Sequence, residues 1–334
     1  MTSNAVRQSI LVVGGNGFLG SAVCRRALAK GMDVTSISSS GRPFTTPKGH
    51  TPAWVGKVKW HAASAFDPPS YAPLLENKTA VVHTLGILLE GGKYKSAVRS
   101  GDILGLFSSF CGASGSSNPL ERGANGEGEY EKMNRDSALR VFETYAASSP
   151  APADNHKAFV YVSAEDIFRP FVPRRYIDTK REAEREIFKM CEERKAAGLP
   201  LIQGVFVRPG LMYHPHLRPF TTPVATLLDL SSNLHHNPPF RLPLPLPSNI
   251  LRSMVAPRKS ADSEESSSVE PSALSSMANA LEVPPIHVDT VADAIVEIVQ
   301  HRPDVCGPVG VEAMRDIIGW HRQSKGFRGQ EHAV

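Results

Sequence analysis

The chain has 334 residues, 41% of them apolar, which suits two ordinary domains or one large α/β unit with a smaller companion. Lysine and arginine number 37 and aspartate and glutamate 33, for a net charge of +4, and the basic residues are scattered. That spread excludes the clustered footprint of a nucleic-acid binder, so no nucleic-acid partner is expected.

Six short, β-branched apolar runs predict strands buried on both faces: "ILVVG" (10–14), "DVTSIS" (33–38), "VKWHAA" (58–63), "AVVHTLG" (80–86), "AFVYVSA" (158–164) and "QGVFVRPG" (203–210). Helical patterns fall between them near 18–30, 70–76, 130–147 and 176–197. The alternation predicts an α/β fold, a Rossmann-type doubly wound parallel sheet occupying residues 1–210. Residues 87–129 read as a long loop insertion rich in glycine and serine. A small C-terminal substrate lobe follows over 211–334. It carries a proline-punctuated run at 238–249 and a serine-rich, low-complexity segment over about 256–278 that reads as disordered. Order returns at "PPIHVDTVADAIVEIVQHR", where Asp289 or Thr290 can cap a helix with an apolar stripe.

Cys24, Cys111, Cys191 and Cys306 are far apart and form no CxxC, so no zinc or other metal site is assigned, and reduced thiols are expected. No apolar run approaches the roughly 18 residues of a membrane span. Residues 1–9 lack a secretory core and are too short for an ordinary mitochondrial presequence, which leaves cytosol and organelle matrix open.

The stretch "ILVVGGNGFLGSAV" sends a strand through spaced glycines into a helix. Gly14 is expected to turn tightly, Gly17 to let backbone approach a pyrophosphate, and Gly20 to let helix pack on sheet. Asn16, Phe18 and Leu19 line the turn, and the helix N-terminus offers free amides to phosphate. The second strand ends in "SISSSGRP", without the acid that holds NAD ribose hydroxyls. Ser38, Ser39 and Ser40 can hydrogen-bond there, and Arg42 can pair with a 2′-phosphate, so NADP(H) is favoured over NAD(H).

In "YIDTKREAE", Tyr176 and Lys180 stand at i and i+4 on one helix face. A nearby ammonium lowers a phenol pKa from near 10 and suits the pair to proton transfer. Ser163, at the end of the fifth strand, reads equally as a carbonyl polariser or a turn serine.

With these pieces in order, the chain resembles the extended and atypical short-chain dehydrogenase/reductase superfamily, through "VVGGNGFLG", "VVHTLG", "YEKMNRDSA", "FVYVSA", "YIDTK", "VRPG" and "PIHVDTVADAI". "HTLGILLE", the "SNPL" loop and "YIDTKREAE" look closest to a fungal mitochondrial group associated with ubiquinone biosynthesis, related to the NAD(P)H-binding accessory subunit of respiratory complex I. The resemblance implies bound NAD(P)(H), a location on the matrix side of the inner membrane, and association with the coenzyme Q biosynthetic complex. A lipid-like coenzyme Q precursor as substrate follows from the same likeness, while the apolar, proline-rich stretch 211–255 reads either as a contact for a prenylated quinone or the membrane surface, giving peripheral association, or as the core and loops of the lobe. It places Gly14, Gly17 and Gly20 on the pyrophosphate, Leu85 and Gly86 beside adenosine, and Asn134 in support. Tyr176 and Lys180 take the catalytic positions, and Pro209 and Gly210 lie near the nicotinamide. The chain departs from the pattern at Val13 (usually threonine), Ser64 (usually aspartate) and "SAEDIF". The expected activity is hydride transfer to or from a carbonyl or quinonoid intermediate. A non-catalytic nucleotide-binding assembly subunit is the alternative, and a nucleotide-sugar epimerase or dehydratase a third reading.

Overall fold

The computed structural model describes residues 8–87, 128–148, 156–167, 169, 173–219, 221–236, 246–254 and 273–320. Seven parallel strands form the main sheet: β1 (Ser9–Val13), β2 (Asp33–Ser38), β3 (Lys59–Ala62), β4 (Ala80–His83), β5 (Lys157–Val162), β6 (Ile202–Val207) and β9 (Gly307–Val309). Their order is β3-β2-β1-β4-β5-β6-β9. The order reverses beside β1, the crevice where such sheets bind ligands at their carboxyl ends.

Alternate residues of each central strand feed two cores. Ile10 and Val12 of β1 face one layer with Val82, Val160 and Val205. Leu11 and Val13 face the other with Val81, Phe159 and Phe206. Burial on both faces explains why these strands read as unbroken apolar runs.

Helix α1 (Phe18–Ala29) covers the first face. The second is covered by α2 (Ser137–Ala147), entered through a π-helical turn at Glu131–Asp136, and by α3 (Arg174–Ala196). The helix expected over 70–76 is instead two 3₁₀ turns, Pro68–Ser70 and Ala72–Leu75. Pro68, Pro69 and Pro73 lack the N–H donors that a continuous α-helix needs.

The lobe contains β7 (Met212–Tyr213), α4 (Thr221–His236), α5 (Pro247–Ser253), α6 (Ala273–Glu282) and β8 (Ile286–His287), with β7 and β8 paired in parallel. Within the stretch 256–278 expected to be disordered, residues 273–278 are instead helical: Ala273 opens α6, which buries Ser276, Ala278 and Ala280. Residues 256–272, most of the 87–129 insertion and 238–245 lie outside the described residues.

The chain then returns to the Rossmann unit, so Gly210 does not divide the packing cleanly. Helix α7 (Val288–His301) buries Val288, Val291, Ile295, Ile298 and Val299 in the first core, and β9 pairs with β6. Arg26 of α1 pairs with Asp293 at 3.2 Å and Asp289 at 3.5 Å, and Arg25 also grips Asp289. His287 is the N-cap of α7, its Nδ1 accepting the Asp289 amide at 3.2 Å. Asp289, expected to cap, is drawn to the arginines instead. Helix α8 (Val311–Ile317) closes the described fold.

Candidate active site

The site begins at the β1–α1 turn. Gly14 has φ +86°, a left-handed conformation that glycine adopts freely, and its N–H donates to the Ile37 carbonyl at 2.8 Å. A Cβ at Gly20 would lie 2.2 Å from the Gly14 carbonyl oxygen, so only glycine lets α1 come this close. Gly15 is confined as well, by side chains: its Cβ would meet Ser36 Oγ at 2.3 Å and Cys24 Sγ at 2.9 Å. Gly17 is the N-cap of α1 and carries no side-chain cap, and the first turn contains no acid. The amides of Phe18, Leu19 and Gly20 therefore have no intrahelical acceptor. Asn16 is half-buried beside them. This cradle of uncapped amides and enforced glycines fits a diphosphate.

Where the superfamily has threonine, the buried Val13 has no hydroxyl to offer. Thr84 supplies one from the end of β4, donating to the Val13 carbonyl at 2.8 Å. Leu85 lies against Gly14, while Gly86 faces the other way: a Cβ there would sit 2.8 Å from Lys180 Nζ and 3.1 Å from Asn134 Oδ1.

The Ser38–Arg42 loop is a tight turn. Ser38 Oγ accepts the Gly41 amide at 3.1 Å and Ser40 Oγ the Arg42 amide at 3.3 Å, leaving Ser39 and Arg42 exposed. Ser64, in the position of the usual aspartate, accepts the Phe66 amide at 3.2 Å.

Lys180 is 3% exposed. Its ammonium donates to the carbonyls of Val162 at 2.8 Å and Leu85 at 3.3 Å and lies 4.7 Å from the Tyr161 ring centroid. Burial lowers its pKa to about 7, and the Glu184 carboxylate pulls the other way. Tyr176 stands one helical turn before it, edge-on to Tyr130 at 6.3 Å. Asn134 is fully buried in the π-helical turn. Its amide side chain clamps Ile87, accepting from the N–H at 2.9 Å and donating to the carbonyl at 3.3 Å. The same turn brings Ser137 Oγ to 3.2 Å from His83 Nε2. Burial drives the His83 pKa down to about 3, so its ring is neutral.

Ser163 is also buried, but Arg181 of α3 donates to its hydroxyl at 3.1 Å and to the Ala164 carbonyl at 2.9 Å. Arg181 and Arg208 share the carboxylate of Glu184, whose side chain is 5% exposed. Arg208 thus braces the end of β6. The Pro209 carbonyl accepts the Glu165 amide at 3.0 Å, and Gly210 packs against Val283 and Ile167. The fold therefore gathers the glycine turn, Leu85, Gly86, Asn134 and Lys180 along one crevice. It ties Ser163 to arginine instead. In the lobe, His214, His287 and Asp289 converge, but both Nδ1 atoms accept backbone amides and Asp289 carries two arginines.

This sheet order with this turn defines a Rossmann protein of the pyridine-nucleotide-binding class. The model of the NAD dependent epimerase/dehydratase family matches residues 10–97. MIOREX complex component 2 of Saccharomyces cerevisiae is 35% identical over 213 residues, covering 62% of this chain and 73% of that protein. The chain belongs to the epimerase-like family of short-chain dehydrogenases/reductases that includes this yeast relative. An oxidoreductase of the short-chain dehydrogenase/reductase family from Burkholderia thailandensis superposes with a TM-score of 0.52 over 92% of each chain, at 13% identity. A 3-oxoacyl-[acyl-carrier protein] reductase from Brucella melitensis gives 0.52 over 91% of this chain and 89% of its own, at 12% identity. Likeness at that identity shows the fold alone.

Proposed function

We propose that the protein is an NAD(P)H-binding oxidoreductase associated with mitochondrial coenzyme Q biosynthesis, acting on a carbonyl or quinonoid intermediate. The observation that carries this reading is Lys180, buried and held between the Leu85 and Val162 carbonyls one turn after Tyr176. Bound nicotinamide supplies or accepts the hydride. The amides of Phe18, Leu19 and Gly20 hold the diphosphate, and Leu85 and Gly86 wall the crevice. Pro209 and Gly210 flank its far end. Arg42, exposed beside Ser39, pairs with a 2′-phosphate and favours NADP(H) over NAD(H). Tyr176 donates the proton, and Lys180 stabilises the resulting phenolate.

The yeast relative is named as a component of a complex, which supports membership of an assembly. The motifs "HTLGILLE" and "YIDTKREAE" support the coenzyme Q biosynthetic complex and the matrix side of the inner membrane. No helix among the described residues is long and apolar enough to cross a membrane, so membrane contact is peripheral in this reading.

A second reading, a nucleotide-binding assembly subunit without turnover, is favoured by the Arg181 bond to Ser163, which occupies the expected polariser. Tyr176→Phe separates the two. The oxidoreductase reading expects a variant that binds cofactor but fails to restore quinone synthesis in deficient cells. Full restoration favours the assembly subunit. Mass spectrometry of nucleotide copurifying with the native protein tests both against a nucleotide-sugar enzyme.

A further inference from the structure

Leu227, Leu230 and Leu234 of α4 recur at helical spacing, yet they are 68%, 57% and 45% exposed. They wall a groove of about 420 Å³, completed by Leu246 and Pro247 at the start of α5 and by Leu281 of α6. That volume falls in the range of small-molecule sites, about 300–1,000 Å³. Eight residues line the groove, against the roughly 20–30 on each side of a stable protein interface, so it is too small to seat a second copy or another protein.

Two polar side chains interrupt the apolar wall, Ser231 and His235. The Ser231 hydroxyl is spent on the Leu281 carbonyl at 3.2 Å. The Ser231 carbonyl lies 2.7 Å from His235 Nδ1. A carbonyl only accepts, so Nδ1 carries the proton and Nε2 of the neutral ring is left as an acceptor. Nε2 is shut off from water and has no hydrogen-bond partner among the described residues. An acceptor buried in an apolar site calls for a donor. The donor must be neutral, because an ammonium would lose its hydration among leucines. A carboxylate or a quinone carbonyl has no proton to give. A hydroxyl meets both conditions.

We propose that this groove binds a neutral amphiphile, an apolar chain ending in one alcohol or phenol hydroxyl. The hydroxyl donates to His235 Nε2, and the chain lies along the leucines. The site is distinct from the nucleotide crevice. Helix α6 meets the segment after β5 through Ser276, which accepts the Arg169 amide at 3.0 Å, and Asn279, which donates to the Asp166 carbonyl at 3.1 Å. By helical spacing Leu281 falls on the opposite side of α6. The proposal therefore stands whether or not the glycine turn holds a dinucleotide.

Calorimetry on the full chain with 4-octylphenol and its methyl ether, 4-octylanisole, tests it. Wild type is expected to prefer the phenol about fivefold, the worth of one neutral hydrogen bond. His235→Phe is expected to bind both probes alike. Leu230→Asp, at an exposed position that spares the fold, is expected to weaken both about tenfold or more. Equal affinity of wild type for the two probes overturns the hydroxyl contact, and so does a preference that survives in His235→Phe. Affinities unchanged in Leu230→Asp overturn the groove as the site. If neither probe binds, the proposal fails, and two further measurements name what covers the leucines. Sedimentation of wild type as a dimer that Leu230→Asp dissolves assigns a second copy. Flotation with phosphatidylcholine vesicles that Leu230→Asp abolishes assigns a bilayer surface.

Discussion

The Lys180 ammonium donates to the Val162 carbonyl at 2.8 Å, at the carboxyl end of a central strand and almost out of reach of water. Desolvation brings its pKa from 10.5 in the free side chain to about 7. Between these values the unfolded chain holds more protons than the folded one. Stability therefore rises with pH across that window, and the burial penalty is fully present below it. Melting temperatures from about pH 6 to about pH 10 are expected to climb more steeply in wild type than in Lys180→Met. Lys78 and Lys157, lowered to about 8 by burial, remain in both proteins, so the difference isolates Lys180. Identical slopes count against a desolvated ammonium.

Gly20→Ala is expected to cost roughly 1–3 kcal/mol and to abolish nucleotide binding, because the new methyl meets backbone that cannot yield. Gly56 has nothing within 4 Å of its Cβ position, so Gly56→Ala is the control, expected within about 0.5 kcal/mol of wild type. Urea unfolding with calorimetry checks both. A Gly20→Ala protein of wild-type stability and affinity contradicts the close approach.

Ser163 and Tyr176 differ in expected effect on turnover. With Arg181 on its hydroxyl, Ser163 does not polarise substrate, and Ser163→Ala is expected to change kcat less than about threefold. Tyr176→Phe is expected to lower kcat by roughly 10²–10⁴. Steady-state kinetics, once a substrate is found, reads both. A large loss in Ser163→Ala restores the serine to the chemistry.

Glu184 holds two arginines. Glu184→Gln takes the hydrogen-bonded carboxylate from both partly buried guanidinium groups, leaving them only the more distant charge of Glu165, and is expected to cost about 3 kcal/mol. It also removes the one influence that raises the Lys180 pKa, which should fall further. Chemical denaturation measures the first effect and the pH profile of melting the second.

Arg42→Ala is expected to weaken NADPH about tenfold and leave NADH unchanged, the loss of one exposed phosphate pair. Equal affinity ratios in wild type and variant assign the 2′-phosphate elsewhere.

Much of this was legible in the chain itself. The strands at Ser9–Val13 and Asp33–Ser38 fall where the apolar runs lie, and α1 starts beside the spaced glycines. The helix of Tyr176 and Lys180 begins two residues earlier than its pattern indicated, at Arg174. Where apolar spacing suggests a helix near 70–76, Pro68, Pro69 and Pro73 withhold the N–H donors, and the backbone forms two 3₁₀ turns instead. Gly15 stands next to Gly14, at a position that the three-glycine spacing leaves open to any residue. The neighbour that demands it, Ser36, comes from another strand.

Hydrophobic period, turn chemistry and the i, i+4 pair depend on residues a few positions apart, so sequence alone determined the parallel sheet, the glycine turn and the placement of Tyr176 and Lys180 on one helix. Tertiary structure decided the rest. It set Arg181 on Ser163, returned α7 and β9 to the sheet, and laid Arg218 over Phe18. Each of these joins segments far apart in the chain. Such contacts follow from how the crossovers pack, and no local pattern encodes which distant side chain arrives.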